Sequence, residues 1–279
     1  MPRQLDETWL LKRAANDNDR QTVRTILARR DRAVTEHIFY TEEGILSLRL
    51  GPDLISMREC AAPASMEVYH EIFREDNHFL HDDFASPELE YVLDIGANEG
   101  YFTLRVARAN PGARILCVEP NPYAFEILSL NVGNNGLANV TPINAGASAD
   151  GRDLEMEFVR QIHSIGGARL RDVERPWLPE NVIEKRTVAS IPITRLVEEH
   201  AFPRIDLLKI DVEGMEDEIV GSIAPLAPVT ARIVVERHSR ALRDKVNGTL
   251  TGLGFDLVYE EDPAFEQYYG DMYFVRRRS

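Results

Sequence analysis

Cysteine is almost absent from this chain. Cys60 and Cys117 are the only two in 279 residues, and Cys117 lies inside the apolar run ILCVEP. A disulfide framework and a thiolate metal centre are therefore excluded as the basis of the fold, and both cysteines read as packing residues. Long apolar runs are missing too. No stretch nears the roughly 18 residues that a membrane helix needs, and Asp6, Glu7, Arg13 and Asp17 interrupt the first apolar residues, so no signal-peptide core forms. The expectation is a cytoplasmic protein with no membrane partner. Positive charge is also scarce, with 32 Lys and Arg against 46 Asp and Glu, a formal net charge of −14. A sequence-independent grip on nucleic acid needs a basic surface that releases phosphate counterions, so nucleic acid is not an expected partner. Arg276, Arg277 and Arg278 form one basic cluster, which reads as a solvated tail.

What is present divides into two regions. Residues 1–86 read as an accessory region of helices and a short hairpin. Trp9, Leu10, Val23, Ile26, Leu27 and Val34 make a helical apolar stripe, Gly51-Pro52 turns between two short strands, and a helix is predicted over 65–80 with Ser65 as its N-cap. Left exposed, that stripe would be a liability, so it predicts a homodimer contact or a cover over a pocket. Residues 87–279, with the boundary near Pro87, alternate short apolar runs with amphipathic stretches, the pattern of a mostly parallel sheet covered on both faces. The strands are YVLDI, RILCVE, VTPIN, DLLKID, RIVVE, FDLVYE and MYFVR. Helices are predicted at 101–109, 122–134, 194–200, 215–223 and 239–253. The last two strands follow one another without a helix, which predicts an antiparallel edge strand. The fold class is α/β, a doubly wound, Rossmann-like, seven-stranded sheet with an N-terminal helical and hairpin extension.

VLDIGANEG puts Asp94 near the carboxyl end of the first strand, followed by Gly96, Ala97, Asn98 and Gly100 before a helix. Ligands of open α/β sheets bind outside the carboxyl ends of the strands. A dinucleotide loop would read G-x-G-x-x-G; here Asn98 replaces the second glycine and Glu99 adds negative charge, which should repel a pyrophosphate. A cofactor with an ammonium, a carboxylate and a ribose but no phosphate fits better. S-adenosylmethionine has those groups, with Asp94 to attract the ammonium. Glu119, 25 residues after Asp94 and at the end of the second strand, can accept hydrogen bonds from both ribose hydroxyls.

VLDIGANEGYFT, VEPNP and above all LLKIDVEGMEDEIVGS resemble the FkbM family of methyltransferases, over about residues 83–259. The resemblance implies a class I methyltransferase fold and S-adenosylmethionine as the methyl donor. It implies a cofactor site at Asp94, Gly96, Ala97, Asn98, Gly100, Glu119, Pro120, Asn121 and Asn144, with the turn through Ala147 nearby. It also implies an acceptor that is a small molecule, a glycan or a peptide. Methylation of a hydroxyl on a sugar or secondary metabolite is the first expectation, and an amine or amide nitrogen, including a peptide side chain, is the alternative.

Methyl transfer needs alignment and acceptor deprotonation from the protein. Lys209, Asp211, Glu213 and Glu216 fall at or just beyond the end of the fourth strand, and Glu236 and His238 at the end of the fifth. His238 or Glu236 is the candidate base, and Asp211 the strongest candidate of the group for a direct role. Two other accounts stay open: a structural ion-pair network, and a divalent cation such as Mg²⁺ held by Asp211 and Glu236, with Glu213 as a candidate third ligand. His163, Ser164, Gly166 and Gly167 suggest a flap, and Trp177 an acceptor contact, each with an ordinary loop as its rival.

Overall fold

The computed structural model describes residues 5–36, 43–85, 88–159, 168–169, 183–261 and 270–277. The chain begins with helices α1 (Glu7–Arg13) and α2 (Asp17–Glu36), hairpin strands β1 (Ile45–Leu50) and β2 (Asp53–Arg58), and helices α3 (Ala62–Arg74) and α4 (Asp82–Ala85). Then follow β3 (Tyr91–Ile95), α5 (Tyr101–Ala109), β4 (Arg114–Val118), α6 (Pro122–Asn134) and β5 (Val140–Ile143). Short strands β6 (Gly146–Ala147), β7 (Leu154–Val159), β8 (Ala168–Arg169), β9 (Ile183–Val188) and β10 (Ser190–Ile191) come next. The chain continues with α7 (Ile193–Glu199), β11 (Leu207–Ile210), α8 (Glu216–Ser222), β12 (Arg232–Arg237), α9 (Arg240–Gly252), β13 (Phe255–Glu260) and β14 (Gly270–Arg276).

The main sheet runs β13-β14-β12-β11-β3-β4-β5. Strands β5, β4, β3, β11 and β12 are mutually parallel, and β14 is antiparallel to both β12 and β13. The doubly wound, mostly parallel seven-stranded sheet is thus as expected, with one correction. The antiparallel strand is β14, inserted one place inside, and the edge is β13, which runs with the parallel set. Burial explains the order: β14 is buried along most of its length, as an interior strand must be, whereas β13 is half exposed.

Period-two geometry sends alternate residues of each strand to opposite faces. Leu93, Ile95, Leu208, Ile210, Ile233, Val235, Met272 and Phe274 point into a core closed by α7, α8 and α9. Val92, Cys117, Leu207, Val234 and Tyr273 point into a second core built with α5, α6 and the N-terminal helices and hairpin. Of the N-terminal stripe, Leu10, Val23 and Ile26 are buried there, within the chain itself. Each such side chain contributes about 1.5–3 kcal/mol by its burial.

Polar ties complete the join. Asn131 of α6 accepts from Ser56 N at 2.7 Å and donates to the carbonyl of Glu99 at 2.9 Å. Asn135 accepts from Leu54 N and donates to Leu54 O, both at 2.9 Å. The two asparagines thus satisfy backbone groups of β2 that would otherwise be orphaned.

Helix α6 starts where its sequence says it should, with Asn121 capping Tyr123 N and Pro122 in the first turn. The helix predicted over 65–80 instead spans Ala62–Arg74 with Ala61 at its N-cap. Ser65 is inside it, donating to Ala61 O and to Glu99 Oε1.

Candidate active site

The carboxyl ends of β3, β4 and β11 open onto a cleft with Gly96, Asn98, Glu119, Pro120, Gly146, Ala147, Asp211 and Glu213 on its walls. Ile95, Val118, Leu154, Met156, Val212 and Met215 supply apolar surface. Of these, Leu154 and Met156 lay outside every sequence motif. The signal was the strict alternation of LEMEFV: Leu154, Met156 and Phe158 are buried on one side of β7, which joins β8 and β9 in a small sheet.

The glycine turn is built by close approach. Gly96 has φ +82°, and a Cβ there would stand 1.7 Å from the Asp211 carbonyl oxygen, so only glycine lets β3 and β11 turn beside each other. Asn98, at φ +52°, donates its backbone N–H to Glu119 Oε2 at 2.7 Å, and Asn121 N donates to Glu119 Oε1 at 2.7 Å. Burial pushes the Glu119 carboxyl up to about 7, against the pull of these two bonds. Asn144 donates to the Glu119 carbonyl at 2.8 Å, fixing the next turn. Ala97 and Asn121 are buried behind the cleft walls, and Gly100 begins α5 at φ +84°, tight against Leu128.

Two expectations change. Glu99 does not face the cleft: it is fully buried and bonded to Ser65 of α3, so its charge cannot govern what binds at the loop. Asp94 is also fully buried behind the wall, where Thr103 donates to it at 2.5 Å and Lys209 Nζ stands 3.5 Å away. Its parity explains this, because Asp94 and Lys209 are register partners on the face that meets α5.

Lys209 is the centre of the charged cluster. Its ammonium donates to Gly96 O at 2.6 Å and to Asp211 Oδ2 at 3.2 Å. Burial alone would lower its proton affinity, but Asp211 and Asp94 outweigh that and hold it charged. Asp211 is likewise kept ionised against burial by Lys209 and by His238.

His238 Nδ1 contacts Glu216 Oε1 at 2.7 Å, while its Nε2 stands 3.7 Å from Asp211 and 3.5 Å from Glu213. The carboxylates of Glu213, Glu216 and Glu236 overcome burial and raise His238 well above its usual value. The strand ends at Ile210, and Glu213 sits at φ +52° in the turn before Gly214, so His238, rather than strand alternation, brings Asp211 and Glu213 together.

Glu236 follows Val235, the register partner of Ile210, and so stands level with Asp211. Burial, then repulsion from Asp211, lifts its carboxyl to about 8. The predicted site residues therefore do converge, with Asp211, Glu213, Glu236 and His238 at two adjacent strand ends.

The metal alternative divides differently from expectation. Asp211, Glu213 and His238 have donor atoms within 4.8 Å of one another, as do His78, Glu236 and Asp271. Asp211 and Glu236 share neither group. In each group a histidine ring already pairs with carboxylates, so the protein's own cations supply charge that a divalent ion would bring. His163, Ser164, Gly166, Gly167, Trp177 and Arg278 lie outside the described residues, as does the boundary at Pro87. Among the described residues no helix is long and apolar enough to cross a membrane.

Comparison with known proteins agrees with this geometry. Methyltransferase sdnD of Sordaria araneosa is 27% identical over 217 residues, covering 68% of this chain and 82% of that protein. The 31-O-demethyl-FK506 methyltransferase FkbM of Streptomyces tacrolimicus is 27% identical over 242 residues, covering 78% and 92%. Hexuronic acid methyltransferase AglP of Haloferax volcanii is 24% identical over 152 residues, covering 54% and 57%. The family described as "Methyltransferase FkbM domain" matches residues 94–267, which include the glycine turn, Glu119, the whole of β11 and β12, and His238. The chain belongs to the FkbM family of S-adenosylmethionine-dependent methyltransferases.

Proposed function

We propose that the chain transfers a methyl group to a hydroxyl of a sugar or secondary metabolite, with Glu236 receiving the hydroxyl proton. The observation that carries this reading is the Glu236 carboxyl, half-buried level with Asp211 and raised to about 8. A base whose proton affinity lies near the working pH combines a useful ionised fraction with a strong pull on the proton.

The cleft suits S-adenosylmethionine. Glu119 retains lone pairs for vicinal hydroxyls beyond those used by Asn98 and Asn121, Leu154 and Met156 offer apolar walls, and Asp211 and Glu213 offer carboxylates to an ammonium. When bound, the sulfonium supplies a methyl carbon already activated for displacement. The chain's own work is to hold the acceptor oxygen, strip water from it, and take its proton onto Glu236 as the new carbon–oxygen bond forms. His238, held charged by Glu213 and Glu216, keeps Asp211 in place and has no free basic nitrogen for that step.

One relative points to oxygen by name, the 31-O-demethyl-FK506 methyltransferase, and another is named for a sugar acid, hexuronic acid. An amine or amide nitrogen, including one on a peptide side chain, is the second reading. It is favoured by the carboxylates of Asp211, Glu213 and Glu236, which would attract an ammonium.

Incubation with methyl-labelled S-adenosylmethionine and pools of polyols, uronates and amines, with Mg²⁺ or with EDTA, tests both. Label in an ether, produced equally with EDTA and reduced about 10²- to 10⁴-fold in Glu236→Gln, is the expected result. Label confined to amines would refute the hydroxyl reading, and unchanged turnover in Glu236→Gln would remove the base.

A further inference from the structure

His78 lies before the matched family region, in the turn between α3 and α4, yet its ring reaches the charged cluster. Its Nδ1 is 2.8 Å from Asp271 Oδ2 and its Nε2 is 4.0 Å from Glu236 Oε2. Asp271 also lies beyond the matched region, on β14, directly across from Glu236 in the sheet register. The Asp271 carboxylate is engaged on several sides: besides the ring it accepts the His78 backbone N–H at 2.9 Å and the Tyr273 hydroxyl at 2.9 Å. That fixes the plane of the imidazole. The ring also packs edge-on to Phe102, while Phe79 stacks on Phe102 with centroids 5.1 Å apart. Arg105, over the Phe79 ring, donates to Asp76 at 2.6 Å and pins the loop from its other end.

The backbone is held in an uncommon state to achieve this, with Asp76 at φ +59° and His78 at φ +64°. Left-handed non-glycine residues carry a cost that surrounding contacts must offset, and such outliers cluster at functional sites. An anchor for the turn alone would need only the backbone bond to Asp271. The ring adds a second nitrogen, buried and aimed at the one carboxyl that the methyl-transfer reading requires.

We propose that His78, oriented by Asp271 and Tyr273, is a positioning residue that holds Glu236 level with Asp211, which lines the cleft. The N-terminal region thereby completes the acid–base site of the matched domain. This rests on the role of Glu236 given above. His78 is protonated around neutrality, since Asp271 outweighs burial and raises it to about 9. The imidazolium then favours the ionised form of Glu236, together with His238 just after β12 and Lys209 of β11, against Asp211 just after β11 and Asp271 of β14.

The test reads Glu236 directly. In protein carrying ¹³C at the glutamate carboxyls, the Glu236 resonance is identified by its loss in Glu236→Gln and titrated by NMR. The wild-type midpoint is expected near 8. In His78→Asn, which tolerates the left-handed backbone and can still donate to Asp271, the midpoint should move up by about one unit or more for a cation removed at this distance. Asp271 itself raises Glu236, so its removal would act in two opposite senses. The second variant is therefore His78→Gln, which also deletes the cation and should move Glu236 in the same direction. If His78→Asn fails to fold, His78→Gln gives the same reading. Folded variants whose Glu236 midpoint matches wild type would overturn the proposal and leave His78 as a turn anchor. S-adenosylhomocysteine binding, measured alongside, should be unchanged in both variants because His78 does not line the cleft. Absence of that binding in the wild type would instead count against the methyl-transfer reading, whatever Glu236 does.

Discussion

Replacing Glu119 by alanine should weaken S-adenosylhomocysteine binding about 100-fold or more. Each carboxylate oxygen accepts one backbone N–H, from Asn98 or Asn121, and keeps a lone pair for one ribose hydroxyl. Hydrogen bonds to a charged acceptor contribute roughly 1.5–3 kcal/mol each. Losing two removes about 3–6 kcal/mol, and water entering the gap restores part, which leaves at least the ~2.7 kcal/mol that corresponds to 100-fold.

The same carboxyl sets a pH dependence. Glu119 is raised from 4.5 to about 7, chiefly by burial, so the folded state holds its proton more tightly than the unfolded chain. Its contribution favours the fold below about pH 4.5 and is lost as pH rises to about 7, a penalty of about 3 kcal/mol above that. Alanine relieves this penalty but orphans two N–H groups at about 1–3 kcal/mol each, so melting at pH 8 should change little. Binding, by contrast, requires the carboxylate, and wild-type affinity should fall about tenfold per unit below pH 7. Calorimetry at pH 8 and pH 6 measures both. Binding in Glu119→Ala within threefold of wild type, with no pH dependence in the wild type, would refute the assignment.

Two further substitutions probe the frame behind the cleft. Gly96→Ala forces a Cβ to 1.7 Å from the Asp211 carbonyl at a positive φ, so urea unfolding should show a loss of about 3 kcal/mol or more, and binding should vanish with it. Lys209→Met leaves Asp94 and Asp211 without their shared cation and should cost about 3–5 kcal/mol in the same assay. Adding Asp94→Asn should recover part of that loss, and strict additivity would show that the two residues are not coupled.

Much of this architecture was legible because local signals agreed. Helices α5 and α6 begin and end where Gly100, Asn121-Pro122 and Asn135 punctuate the apolar pattern, and Glu119 follows from strand length alone. Side-chain direction was harder. Asp94 ends a strand as predicted, but its parity turns it toward α5 and Lys209, away from the open cleft. Glu99 was read as a cleft charge because the loop's own sequence contains no sign of Ser65, 34 residues earlier. The insertion of β14 was hidden for a related reason: adjacency in sequence does not say which side of β12 the returning strand takes, and only the half-polar FDLVYE hinted that β13 is the edge. His78 carries no motif at all. Its place beside Glu236 depends on a left-handed turn and on a hydrogen bond to Asp271, 193 residues away.

The most direct measurement is a crystal structure of the wild-type chain with S-adenosylhomocysteine. The account predicts ribose hydroxyls on Glu119, the nucleoside against Leu154 and Met156, and the sulfur directed toward the strand ends that carry Asp211 and Glu236. A ligand bound elsewhere, or a folded chain that takes up none at millimolar concentration, would contradict it.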